Sequence, residues 1–264
     1  MQKLLFLLLI FSGASFAQAE RVSIGVLAYD GSEQAVRRWQ PTADYLSDQI
    51  SGYEFEVVPL THAAFEHSIN KGSIDFLLTN PGHYVRLEVD FGVTRIATFK
   101  TAFKDQVLTR FSSVIFSRKD SGINKLEDLK GKTLAAVSES AFGGFQLAQD
   151  TLLRNGIDAR KDMNVTWLGF PHSDVVKAVL SGAADAGTVR SGVLEKMAAR
   201  GELKLSNLTV LRQRATGDFP LAHSVDLYPE WPFAKLPGTD DALAKKVAIA
   251  LFQMPQTALA AKKA

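Results

Sequence analysis

The chain has no cysteine in 264 residues. That excludes disulfides, and it excludes a lipid anchor, which needs a cysteine at the cleavage point. A charge excess is also lacking: 30 basic residues stand against 28 acidic, a formal net charge of +2. Such balance speaks against a nucleic-acid protein, which shows a basic excess. Beyond residue 19 no apolar run is long enough to cross a bilayer. The usual catalytic signatures are missing as well, with no G-x-S-x-G and no H-E-x-x-H. Gly131-Lys132-Thr133 imitates the end of a phosphate loop, but Leu126 stands where its first glycine belongs, and a strand follows instead of a helix. His62 and His67 are five apart on a helix and so face different ways, which argues against a metal site.

What is present begins with an export leader over residues 1–19. Lys3 supplies the positive start, Leu4 to Phe11 the short apolar core, and Ala17-Gln18-Ala19 a small-residue cleavage site. Lys3 is the leader's only charge, so its removal leaves a near-neutral chain destined for the periplasm.

Strand and helix patterns then alternate. Strands are expected at Val22–Ala28, Phe55–Leu60, Ile74–Leu78 and Val93–Phe99. Between them lie helices carrying Val36, Trp39, Ala43, Leu46 and Ile50 at helical spacing, then Thr61 to Ile69, then His83 to Val89. Pro41 marks a first turn or a kink. A second unit repeats the order: strands at Ser113–Ser117, Thr133–Val137, Val165–Leu168, Ala183–Val189 and Leu208–Arg212, with helices over 141–155, Ser173–Ser181 and Ser191–Arg200. Leu208–Arg212 is read as leading back toward the first unit. The stretch with Pro220, Pro229, Pro232 and Pro237 reads as a loop before a last helix. Such order implies an α/β fold of two lobes, each a mostly parallel sheet flanked by helices, with ligands held at the carboxyl ends of the strands. The divisions expected are 20–103 for lobe 1, 104–212 for lobe 2, and 213–264 for a return to lobe 1 and a C-terminal helix.

Three strand ends therefore matter: Ala28-Tyr29-Asp30, Leu78-Thr79-Asn80 and Val137-Ser138-Glu139. At the third, small polar residues turn into a helix carrying Phe142, Phe145, Gln149 and Leu152 at helical spacing. The unpaired N–H groups of such a helix start, with nearby hydroxyls, suit an anion. Asn80 caps a helix, a position shared by capping and anion binding. Tyr84 is either core or cleft wall. His172 either caps a turn or donates to an anion. Arg190, just past an apolar strand, either makes a surface salt bridge or grips an oxyanion in bidentate fashion, and the second role is favoured.

The chain resembles the periplasmic phosphonate-binding (PhnD-like) proteins of the type 2 solute-binding fold. The resemblance rests on the secretion signal, Leu126-Glu127-Asp128-Leu129-Lys130-Gly131-Lys132 before a strand, the Ser138–Gly144 helix start, and His172 ahead of Ser181-Gly182-Ala183-Ala184-Asp185. Asp75 through Tyr84, Val189 through Glu195, and Leu227-Tyr228-Pro229-Glu230-Trp231-Pro232-Phe233 look like the branch that forms sensor domains of tetrathionate-sensor-like histidine kinases. The resemblance implies a pocket with an aromatic at Tyr84, a hydroxyl-rich helix start at Ser138, Ser140 and Ala141, and a cleft histidine at His172. Arg190 stands where aminophosphonate transporters tend to place an acid, which implies a ligand negative over more of its length. Glu139 in the anion loop is a second departure and must point away.

The expected protein is thus a non-enzymatic binder of a small phosphonate, phosphite or sulfur oxyanion, needing no cofactor and no metal. Its candidate ligand residues are Tyr29, Thr79, Asn80, Tyr84, Ser138, Ser140, Ala141, Phe142, His172 and Arg190. Its partner is an ABC permease or a sensor kinase, with no nucleic acid and no membrane insertion after leader cleavage. The alternative is a small-anion hydrolase in the same cleft with His172 as its base.

Overall fold

The computed structural model describes residues 19–263. The expected leader falls outside these residues except for Ala19. The first sheet uses β1 (Glu20–Leu27), β2 (Tyr53–Leu60), β3 (Phe76–Leu78) and β4 (Thr94–Thr98). Between them run α1 (Ser32–Gln49), α2 (His62–Lys71) and α3 (Pro81–Phe91). A hairpin follows, β5 (Thr101–Phe103) and β6 (Gln106–Leu108), and then β7 (Arg110–Phe111) carries the chain toward the second sheet. That sheet contains β8 (Ser113–Arg118), β9 (Thr133–Ala136), β10 (Asn164–Trp167), β11 (Ala186–Arg190) and β12 (Leu208–Val210). Its helices are α4 (Leu147–Arg154), α5 (Ala159–Asp162), α6 (His172–Ser181) and α7 (Val193–Ala199). The chain returns through β13 (Tyr228–Pro229) and β14 (Pro232–Lys235), then ends its described part in α8 (Asp241–Gln253) and α9 (Leu259–Lys263).

Local chemistry sets many of these boundaries. The Thr61 hydroxyl accepts from the Ala64 N–H, and Gly72 closes α2 in the left-handed conformation. Asn80 Oδ1 accepts from the His83 N–H at 2.9 Å with Pro81 in the first turn, so α3 starts directly after its expected cap. Pro41 lies well inside α1, past the expected first turn, and removes one donor from the helix ladder.

The sheets run β2-β1-β3-β14-β4 and β10-β9-β11-β8-β12. In each, the fourth strand alone runs against its neighbours. Two sequence expectations change here. Leu208–Val210 does not lead back to the first unit; it forms the edge of the second sheet, antiparallel to β8, with Leu208 in that lobe's core. The returning strand is β14, inside the stretch read as a Pro-rich loop. Pro232 is tolerated because it opens the strand, and the register shifts at Phe233/Ala234. The two crossings lie side by side: β7 pairs with β13, the Glu230 N–H donates to the Thr109 carbonyl at 2.9 Å, and Ser112 Oγ donates to the Val225 carbonyl at 3.0 Å.

Each sheet is covered on both faces. In the first, Val22, Ile24, Phe55, Phe76 and Leu78 pack with Trp39 and Leu46 of α1 and Val247 of α8. Leu77 faces the other way, toward Phe65 of α2 and Leu87 of α3. In the second, Val114 and Phe116 meet α6 and α7 while Ile115 between them meets α4. Phe76 is fully buried between Phe55 and Phe233, at ring distances of 6.5 and 5.6 Å. Phe76→Ala should therefore cost about 3–5 kcal/mol in urea unfolding. Val89→Ala, at a side chain 79% exposed on α3, should stay within about 0.5 kcal/mol.

Candidate functional site

A cavity of about 370 Å³ lies where the strand ends of the two sheets face each other. Leu27 to Tyr29 at the end of β1 and Asn80 after β3 wall it from the first lobe. Ser138 after β9, the 141–144 helix start, Phe170, His172 and the end of β11 wall it from the second. Phe111, Glu230 and Trp231 of the crossings and the β5–β6 hairpin complete it. The lobes touch across it: the Tyr29 and Phe170 rings are 4.9 Å apart, and a Cβ on Gly82 would lie 2.5 Å from the Phe142 ring.

The anion loop is built from small residues and free donors. The expected helix over 141–155 opens as a π-helical turn, Phe142–Gln146, that runs on into α4. The Ala141 carbonyl takes both the Phe145 and Gln146 N–H groups, at 2.8 and 3.1 Å. The N–H groups of Phe142, Gly143 and Gly144 have no backbone acceptor among the described residues. Ser138 and Ser140 stand beside them with their hydroxyls 3.5 Å apart. Gly144 is forced by packing, since a Cβ there would meet Val137 at 2.6 Å and His172 at 2.8 Å. Glu139 turns outward and pairs with Arg160 at 2.9 Å, so the loop keeps its positive end.

Arg190, the last residue of β11, lays its guanidinium 3.9 Å over the Phe111 ring and pairs with Glu230. Glu230 is 1% exposed; one carboxylate oxygen also accepts from Thr101 Oγ1 at 3.3 Å, and the other is buried without a partner. Arg38 donates to the Tyr29 hydroxyl at 2.7 Å, while its Nε is buried and unpartnered. Burial raises the Tyr29 phenol's pKa, partly countered by Arg38. Lys196 is pulled below the usual lysine range by burial and by the charges of Arg190 and Arg38. His172 keeps a buried Nδ1 without a partner, and burial followed by Arg190 pushes it down to about 4, so it is neutral at pH 7.

Of the ten sequence candidates, Tyr29, Asn80, Ser138, Ser140, Ala141, Phe142, His172 and Arg190 line this cavity. Thr79 and Tyr84 do not. The strand's alternation turns Thr79 onto the α2–α3 face, where its hydroxyl meets His83 Nδ1 at 2.9 Å in full burial. Tyr84 packs in the same cluster, donating to Glu88 at 2.6 Å and accepting from the Arg95 N–H at 3.1 Å. Asn80 combines both of its possible roles, lining the cavity while capping α3, and its amide nitrogen lies 3.3 Å from His62 Nε2. Sequence reasoning missed Arg38, Lys196, Trp231 and the hairpin. It singled out the stretch around Glu230 without giving that residue a role.

Two facing α/β lobes, linked by two paired crossings and holding a cationic cavity at their strand ends, define a periplasmic substrate-binding protein of type 2 architecture. Residues 24–263 match the periplasmic substrate-binding proteins of ABC phosphonate transporters, and the chain belongs to that family. The family is one of substrate-binding proteins. The chain is 34% identical over 237 residues to a tetrathionate sensor histidine kinase of Salmonella typhimurium; the match covers 89% of the chain and 40% of the kinase. In fold it is similar to a Xanthomonas citri protein solved with ATP (TM-score 0.73, 19% identity, 93% of this chain and 88% of that one). It is also similar to a Prochlorococcus marinus PhnD1 protein solved with methylphosphonate (TM-score 0.67, 17% identity, 92% and 88%). No helix among the described residues is long and apolar enough to cross a membrane.

His83 is also buried, and its pKa, like that of His172, is pushed down to about 4. In the unfolded chain both return to about 6.5. The unfolded chain thus binds more protons between these values, and the stability present above pH 6.5 is lost as pH falls toward 4. The melting temperature should fall between pH 7 and pH 5, and His83→Gln should flatten the slope. A flat profile in the unsubstituted protein would mean that both rings take up protons in the fold as readily as in the unfolded chain.

Proposed function

We propose that the cleft captures a small oxyanion of the phosphonate, phosphite or sulfur-oxyanion type. The ligand serves either an ABC permease or signalling through a histidine kinase for which this chain is the extracytoplasmic sensor domain. The carrying observation is the balance of charge: Arg38, Arg110, Arg190 and Lys196 line one cavity with a single carboxylate, Glu230, already engaged by Arg190. Free N–H groups at the 142–144 helix start add fixed donors. Likeness to a tetrathionate sensor kinase supports the signalling arm and places sulfur oxyanions among the first ligands to try. In this reading residues 1–19 are the export leader, and Tyr29, Asn80, Ser138, Ser140, His172 and Arg190, with Arg38 and Lys196, contact the ligand. The lobes then close about the paired crossings.

Thermal unfolding against phosphate, phosphite, methylphosphonate, sulfate, thiosulfate, tetrathionate and small dicarboxylates tests this. A ligand at 100 times its Kd that binds only the folded state adds about 2.7 kcal/mol, a rise of a few degrees. A selective rise with one anion class is expected, and no rise with any would overturn the reading. Arg190→Ala should weaken that anion at least tenfold. Because it strands the buried Glu230 carboxylate, the paired variant Arg190→Ala/Glu230→Gln separates lost binding from lost stability.

A further inference from the structure

We propose that α8 and α9 form a docking surface for an anionic lipid bilayer, at the end of the first lobe away from the cleft. On α8 the inward face is ordinary: Leu243, Ala244, Val247 and Ala250 are buried against the first sheet. The outward face of such a helix is normally polar. Here it presents Ile249 and Phe252, 55% and 71% exposed, flanked by the exposed Lys245 and Lys246. Helix α9 adds Leu259, 60% exposed, with Lys262 and Lys263. Residues 242–264 hold four lysines and no acidic residue, although the whole chain is nearly neutral. None of these lysines forms an ion pair among the described residues, and Asp241, which opens α8, is held by Lys235 at 2.6 Å. A merely solvated helix face carries both signs, as α1 does where Glu33 pairs with Arg37. One sign of charge around protruding apolar side chains fits the boundary of a bilayer instead. The apolar groups enter the acyl region, and the lysine stems reach back to anionic headgroups. A groove of about 320 Å³ beside Ile249, lined also by Ile50, Lys246, Ala250 and Gln253, offers room for part of a lipid. Lys246 lies 5.6 Å from the ring of Tyr53, the first residue of β2. From there β1 and β2 run in parallel toward the cavity, so a bilayer bound at this end leaves the cleft free.

Vesicle co-sedimentation tests this with the chain lacking residues 1–19, since both sheets and their helices lie within residues 20–263. Phosphatidylcholine vesicles with about one-third phosphatidylglycerol should bind it at least about tenfold better than pure phosphatidylcholine, and about 0.5 M salt should remove most of that gain. Ile249→Ser/Phe252→Ser and, separately, Lys245→Gln/Lys246→Gln should each weaken binding at least about fivefold. All four side chains are exposed, so the melting temperature should barely move. No binding to the anionic vesicles, or undiminished binding by both variants, would overturn the proposal. So would a concentration-dependent dimer in sedimentation velocity that Ile249→Ser/Phe252→Ser abolishes, with no vesicle binding; that result would assign the face to a second copy of the chain.

Discussion

The pairing of Arg190 with Glu230 holds the cavity together. The arginine ends a strand of the second sheet, and the glutamate sits in the crossing that leads back to the first. The Glu230 carboxylate would not be tolerated alone at this depth, since an unpaired buried carboxylate costs several kcal/mol; Arg190 is only partly buried. Together they fix the guanidinium over Phe111, with one carboxylate oxygen also bound to Thr101 of the hairpin. Strand end, crossing and hairpin are thereby anchored at one point. The pair leaves Arg38 and Lys196 with no carboxylate of their own facing the cavity, so the local field stays positive although the whole chain is nearly neutral.

The lobes share a construction that explains why their strand ends meet. Asp75, just before β3, accepts from the Ser23 N–H of β1 at 2.7 Å; Asp185, before β11, accepts from the Thr133 N–H of β9 at 2.8 Å. The separation is 52 residues in both. Counting onward from the aspartates, Asn80 and Arg190 occupy matching positions, and counting from the strands, so do Ala28 and Ser138. All four line the cavity. Thr79 corresponds to Val189, and both are buried in the fold. The same architectural position thus supplies a capping amide on one side and a charged fork on the other.

This correspondence shows what could be read beforehand. Apolar runs and caps at Thr61 and Asn80 reveal helices and parallel strands because those signals are local. The aspartate register sets Thr79 aside: a residue one step before the strand's exit alternates onto the covered face. Tyr84 was ambiguous by nature, since helix spacing places it with Leu87 on an inward face that can be core or cleft. Strand β14 was hidden because its pairing partners, β3 and β4, lie far back in the sequence and its first residue is proline. Arg38 could not be assigned because its target, the Tyr29 hydroxyl, is reached only once α1 packs beside β1.

On the proposed reading, the distribution of donors sets what closure would depend on. Arg38 and Tyr29 come from the first lobe; the 142–144 amides, Ser138, Arg190 and Lys196 come from the second. Like charges from the two sets line one cavity, and burial together with the charges of Arg190 and Arg38 depresses Lys196. A bound anion would supply acceptors to both sets at once. It would then bind a closed arrangement better than an open one, and only that difference in affinity could shift the balance between them. The cationic excess that would make an empty closed cleft costly is the same feature that would make closure responsive to ligand.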